Sequence, residues 1–125
     1  GNKHLDLNLE VIIKTEEGLE KTVSNSNFNN MYWNMNQQLA HHSVNGCNIR
    51  SGDLFGSGTI SGSKQESYGS MLEISWKGTK PVSMPDGTTR KFIMDNDTVI
   101  MRGHAIKNGV RVGFGELATK VLPAK

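Results

Sequence analysis

Hydrophobic residues alternate strictly at the start of the chain. From Leu5 to Ile13 every odd position is apolar and every even one but Ile12 is polar, a period of two that predicts a strand with one face on a core. Glu16-Glu17-Gly18 reads as the turn that follows. The period then lengthens. Phe28, Met31, Tyr32, Met35 and Leu39 lie on one stripe of a 3.6-residue repeat, which predicts the single convincing helix. Ser26 or Asn27 is its expected N-cap, and Gly46 the left-handed residue past its end. Beyond Gly52-Asp53 the pattern reads as β to the end. Leu72, Ile74 and Trp76 alternate with Glu73, Ser75 and Lys77, so Glu73 is expected on a strand, pointing away from the apolar face.

Turn chemistry divides this second half. Pro85-Asp86-Gly87 combines a preset φ with a residue free to take positive φ, and Asp95-Asn96-Asp97 reads as another turn. Asn108-Gly109 is the strongest hairpin signal, a type I′ turn that pairs Ala105 with Val112, His104 with Gly113 and Gly103 with Phe114. Glycines at 103, 113 and 115 leave room beside Phe114 for another layer. No repeat, linker or low-complexity tract interrupts the pattern. The expected fold is mainly β with one packed α-helix.

Composition narrows the function classes. The 125 residues are one domain or part of one, and hydrophobic residues make up 35%. That share is low; it fits a chain that leans on a partner segment, and equally a Gly-rich β protein. The formal charge is +2 and the cations are dispersed, which argues against nucleic acid or an anionic membrane as partner. Cys47 is the only cysteine, so no internal disulfide forms, in keeping with a reducing compartment. No apolar run approaches the roughly 18 to 20 residues of a membrane span. GNKHLDLN lacks the n- and h-regions of a signal peptide, and the expected location is the cytoplasm.

Several apparent motifs dissolve on inspection. GSGTISGS looks like a phosphate cradle, but no Gly-Lys-Ser/Thr follows it. His41 and His42 are adjacent, about 100° apart on a helix, and cannot chelate one ion together. They suit the helix end, where a cation complements the dipole. His4 and His104 stand alone on strand patterns. Asp95-Asn96-Asp97 starts like a calcium loop but lacks the glycine at its sixth position and the glutamate at its twelfth. Cys47 has no base beside it in sequence, and Tyr32, Trp33 and Trp76 read as core or interface aromatics.

Four stretches carry a resemblance. MYWNMNQQLAHHSVNGCNIRSGDL, SGTISGS, SYGSMLEISWKGTKP and RVGFGELATKVLPA resemble the C-terminal part of the fumarylacetoacetase family, and the likeness runs almost the whole length of the chain. More distant relatives in that superfamily, such as acylpyruvases, usually carry a GTP-x-G-V-G-like turn here and lack the long SYGSMLEISWKG match. Residues 1–125 would then be the C-terminal part of a catalytic domain with a mixed β-sandwich roll. The resemblance implies hydrolysis of a carbon–carbon bond in a β-diketone acid, 4-fumarylacetoacetate, to fumarate and acetoacetate at the last step of tyrosine breakdown. It implies a homodimer that uses a divalent cation, magnesium or calcium. The cation's carboxylate ligands, the catalytic histidine and the Arg, Gln and Lys around the oxyanion are all expected upstream of these residues.

Two residues of this chain acquire roles from that resemblance. Glu73 is the expected catalytic carboxylate, hydrogen-bonded to the histidine that takes a proton from water, the orienting role of a triad's third member. Sequence pattern alone would leave it a solvated glutamate. Thr59 is the expected substrate contact, its hydroxyl a donor to a carboxylate oxygen, with Gly58 allowing close backbone approach. No metal ligand is expected in this chain, and by itself it is expected to show no turnover. Two alternatives stay open: an acylpyruvase-like or other β-diketone hydrolase, and a non-catalytic binding module.

Overall fold

The computed structural model describes residues 4–125; the first three positions of the GNKHLDLN segment lie outside the described residues. Four strands form the main sheet in the order β2-β1-β5-β6, every neighbouring pair antiparallel. Here β1 is Asn8–Lys14, β2 Glu20–Asn27, β5 Thr98–Lys107 and β6 Val110–Lys120. Two short strands, β3 (Val82–Ser83) and β4 (Thr89–Arg90), make a separate ladder. The helices are α1, Met35–Val44, and a single turn α2, Met71–Ile74. The architecture is mainly β with one main helix, as the pattern predicts.

The opening alternation becomes β1, whose Ile13 pairs with Val99 and Ile12 with Ile100. Consecutive strand residues face opposite ways. Ile13 and Ile12 therefore bury on opposite faces, at 2% and 5% exposure. Ile13, Val23 and Ile74 form the buried cluster, with Val11, Tyr68, Met71 and Val82 packed against it. On the other face Glu10, Arg102 and Glu116 lie in register across three strands, with Arg102 Nε 2.7 Å from Glu116 Oε2. That hydrogen bond, and then the carboxylate's charge, raise the Arg102 pKa above its ordinary value.

The turn at 16–18 forms as expected: the Gly18 and Leu19 amides donate to the carbonyl and hydroxyl of Thr15, and Gly18 has φ 93°. It leads into β2, a strand that the polar sequence EKTVSNSN conceals. Its register slips at Val23, an extra residue between Thr22 and Ser24 that bends the edge. Ser24 and Ser26 are buried opposite Val11 and Leu9, where hydroxyls occupy positions a period-two reading reserves for apolar groups.

The helix begins later than expected. Asn27 does cap, but what it caps is a 3-10 turn at Phe28–Asn30, with the Asn29 amide 2.9 Å from its side-chain oxygen. The chain then bends at Tyr32 and Trp33 before Asn34, whose side chain accepts the Gln37 amide at 2.9 Å while Gln37 accepts the Asn34 amide at 2.9 Å. This reciprocal capping box starts α1. Gly46, at φ 85°, lies past its end as predicted.

The Asn108-Gly109 hairpin forms with both residues at positive φ, 52° and 77°, and Ala105 pairs with Val112 and His104 with Gly113. The expected Gly103–Phe114 pair does not form. Arg102 pairs with Glu116, so Phe114 and Gly115 together oppose Gly103 in a bulge, with Gly115 at φ 80°. The turn read at 95–97 forms, with Asn96 at φ 68°, and closes on a buried Asp97. Asp97 is 1% exposed, and its carboxylate accepts from Arg90 NH1 and from the Met94 amide, each at 2.8 Å.

Candidate active site

Glu73 sits on α2, not on a strand, and the expectation of β structure through residues 53–81 fails with it. The local competition is between alternating apolar residues and a helix cap. The cap wins because Ser70 Oγ accepts the Glu73 amide at 3.3 Å. Ser75 secures the turn from the other end, donating to the Met71 carbonyl at 2.7 Å and accepting the Gly78 amide at 3.0 Å. Trp76 and Lys77 then take positive φ, 49° and 56°, which ends the helix after one turn. Trp76 stays about half exposed, with Lys80 Nζ 3.9 Å from its ring centroid.

One helical turn separates the side chains by function. Met71 and Ile74, three apart, face the core, and Ile74 is buried. Glu73 is left on the exposed side. Its carboxylate is nevertheless held. Ser61 Oγ donates to Oε2 at 2.7 Å and Ser70 Oγ donates to the same oxygen at 3.3 Å. Ser61 in turn accepts the Gly69 amide at 3.0 Å.

The Thr59–Ser61 segment is irregular in backbone but anchored. The Gly62 amide donates to the Ser67 carbonyl at 3.0 Å. Gly69 lies directly beneath the segment: a Cβ there would stand 2.5 Å from the Ile60 carbonyl oxygen and 2.6 Å from Thr59 Cγ2. Only glycine permits that approach. Thr59 thus lies on the same corner as Ser61, Ser70 and Glu73, with an exposed side chain. Thr59 lies two residues from Ser61, whose hydroxyl meets Glu73. The structure adds Ser61 and Ser70, which sequence reading missed. Ser70-x-x-Glu73 is a recognisable cap signature; Ser61, twelve residues from its partner, leaves no local signal.

A broad apolar concavity is next door. A cavity of about 1000 Å³ is lined by Phe28, Met31, Trp33, Leu39, Cys47 and Phe55 among others, and reaches Ser57. The helical stripe read from the sequence faces this space, although no residue of α1 is fully buried. His41 stacks edge-on to Trp33 at 5.2 Å between centroids, and His42 to Phe55 at 5.1 Å. The two imidazoles therefore serve different aromatic contacts. Neither Glu73 nor Thr59 lines this cavity.

Among the described residues no three His, Cys, Asp or Glu side chains gather closely enough to hold a metal ion. No helix among the described residues is long and apolar enough to cross a membrane.

The corner falls within a region shared with known proteins. Residues 3–122 match the family described as fumarylacetoacetate hydrolase C-terminal. The chain is 60% identical to fumarylacetoacetase of Mus musculus over 121 residues, 95% of this chain and 29% of that protein. It is 55% identical to the fumarylacetoacetase of Caenorhabditis elegans, with 96% and 29% covered, and 48% identical to that of Arabidopsis thaliana, with 95% and 28% covered. The chain thus spans under a third of the length of the curated relatives it matches. With almost every described residue inside the match, and the Thr59–Glu73 corner among them, the chain belongs to the fumarylacetoacetate hydrolase C-terminal family.

Proposed function

We propose that these residues supply one wall of a hydrolase active site that cleaves 4-fumarylacetoacetate to fumarate and acetoacetate, in a polypeptide of the relatives' length. The observation that carries the reading is the exposed Glu73 carboxylate, held through one oxygen at a packed corner, within a segment 48–60% identical to proteins named fumarylacetoacetase.

In this reading Glu73 accepts a ring N–H from a histidine outside these residues and fixes its tautomer. The other ring nitrogen takes a proton from water, and the hydroxide oxygen attacks the substrate carbonyl. Glu73 stabilises the imidazolium that forms. The carbon–carbon bond then breaks, the electron pair leaves on the acetoacetate half as an enolate, and the imidazolium returns the proton. Thr59 donates its hydroxyl to a substrate carboxylate oxygen. A divalent cation, magnesium or calcium, belongs to this proposal as a partner of the longer polypeptide, held by ligands outside this chain. A homodimer in the cytoplasm completes it.

The test is a substrate panel on the full-length polypeptide. Fumarylacetoacetate should be consumed fastest, followed by its ultraviolet absorbance, with fumarate and acetoacetate formed in equal amounts. Faster turnover of an acylpyruvate, or no turnover by folded, metal-loaded protein, would overturn the assignment.

A further inference from the structure

The carboxylate of Glu73 is approached from one side only. Both hydroxyl bonds end on Oε2, and among the described residues none ends on Oε1. The two donors differ in what they do besides. Ser70 Oγ also accepts the Glu73 amide, so its hydroxyl is part of the helix cap. Ser61 belongs to a separate segment and has no role in α2. Its oxygen accepts the Gly69 amide at 3.0 Å, which leaves its single proton for the carboxylate at 2.7 Å. A relay of Gly69 N–H to Ser61 hydroxyl to Glu73 Oε2 results, each bond polarising the next. The shorter bond is the charge-assisted one.

The relay has a fixed base. Gly69 sits under Ile60 and Thr59 with no space for a Cβ, and the Gly62 amide ties the far end of the segment to Ser67. The backbone that carries Ser61 is thus held beside Glu73, on the same segment as Thr59. Conversely, free rotation of the Glu73 side chain would present either oxygen, at variable distance, to an incoming imidazole. Orientation of this kind affects rate more than affinity, because it acts on the geometry in which the proton is transferred.

We propose that Ser61 is a positioning residue: it holds Glu73 by Oε2 so that Oε1 is the oxygen presented to the catalytic imidazole, and it couples that carboxylate to Thr59 on the same segment. The proposal rests on the role given above to Glu73, and the experiment separates the two. Steady-state kinetics on fumarylacetoacetate would compare the full-length polypeptide with its S61A, S61T, S61C, E73Q and S61A/E73Q variants, each checked by circular dichroism. S61A should lower kcat by about 10-fold with KM within about twofold, in line with loss of one hydrogen bond to a charged group. S61T, which keeps the hydroxyl, should recover most of that loss, whereas S61C, a weak donor of similar size, should not. In the E73Q background the S61A change should cost less than about twofold, since a residue acting through Glu73 has nothing left to position. An S61A loss that persists undiminished on E73Q, or an S61A enzyme as fast as wild type beside a slow E73Q, would overturn the positioning role while leaving Glu73 in place. An E73Q enzyme as fast as wild type would overturn both. Should S61A fail to fold, S61T against S61C decides: equal rates would contradict the proposal.

Discussion

The two halves of the main sheet are built alike and finished differently. On one face, Ile13 and Val11 of β1 meet Val23, Ile74, Met71 and Tyr68, and the closed cluster carries α2 on top of it. Along the same face the register runs from Val11 to Met101 and on to Leu117, but nothing among the described residues closes over that end. All eleven residues of β6 are exposed, Leu117 at 59% and Phe114 at 62%, around an apolar depression of about 320 Å³. The contrast shows where precision lies. The carboxylate proposed to do chemistry projects from the closed half, where its helix turn is pinned by a buried isoleucine and by serine hydroxyls at both ends. On the other half the apolar residues of β6 are present, but no layer among the described residues covers them.

Stability measurements distinguish the two halves. Ile74→Ala removes three carbons from a site at 5% exposure and should cost about 2–4 kcal/mol in denaturant unfolding of this chain. Leu117→Ala, on the open half, should change stability by about 0.5 kcal/mol or less. Equal losses at the two positions would mean that the halves are not differently packed.

A smaller effect tests the exposed tip that hangs from the closed half. Val82 of β3 packs on the core cluster, while the turn beyond it exposes Asp86. The Thr88 hydroxyl, at 2.6 Å, and then the Thr88 amide, at 3.0 Å, hold the Asp86 carboxyl below its ordinary value of 3.8. A carboxyl depressed on folding favours the folded state above its unfolded pKa, and the advantage disappears as pH falls through the folded one. Thr88→Val removes the larger contribution, so its stability should fall less steeply than wild type as pH drops below 3.8. Acid unfolding curves of identical slope would contradict this.

Legibility followed the range of the interactions. The Asn108-Gly109 hairpin was readable because a type I′ turn is settled by two residues. The bulge that follows was not, because Gly115 shifts a pairing set by the whole ladder. β2 was hidden because buried serines replace apolar residues on an edge strand. At Glu73 two local signals conflicted: alternation from Leu72 to Trp76 pointed to a strand, and Ser70-x-x-Glu73 pointed to a helix cap. The Ser70 cap decides for the helix, and packing of Met71 and Ile74 three apart against the core supports it. The turn at 95–97 is legible in the sequence, but the burial of Asp97 is not, because its partner Arg90 lies on β4. Of the candidate site, Thr59 and Glu73 are singled out only by resemblance to a family. The hydroxyl of Ser61 depends on a contact across twelve residues, which no periodicity reports.

The most direct test of the central claim is the rate of fumarylacetoacetate hydrolysis by the full-length polypeptide and its Glu73→Gln variant, followed by ultraviolet absorbance, with circular dichroism on both. Glu73 is exposed and its helix turn is held by neighbouring residues, so the variant should keep the wild-type fold and lose about 100-fold or more in kcat. A folded variant that turns over as fast as wild type would show that the corner held by Ser61 and Ser70 positions no base.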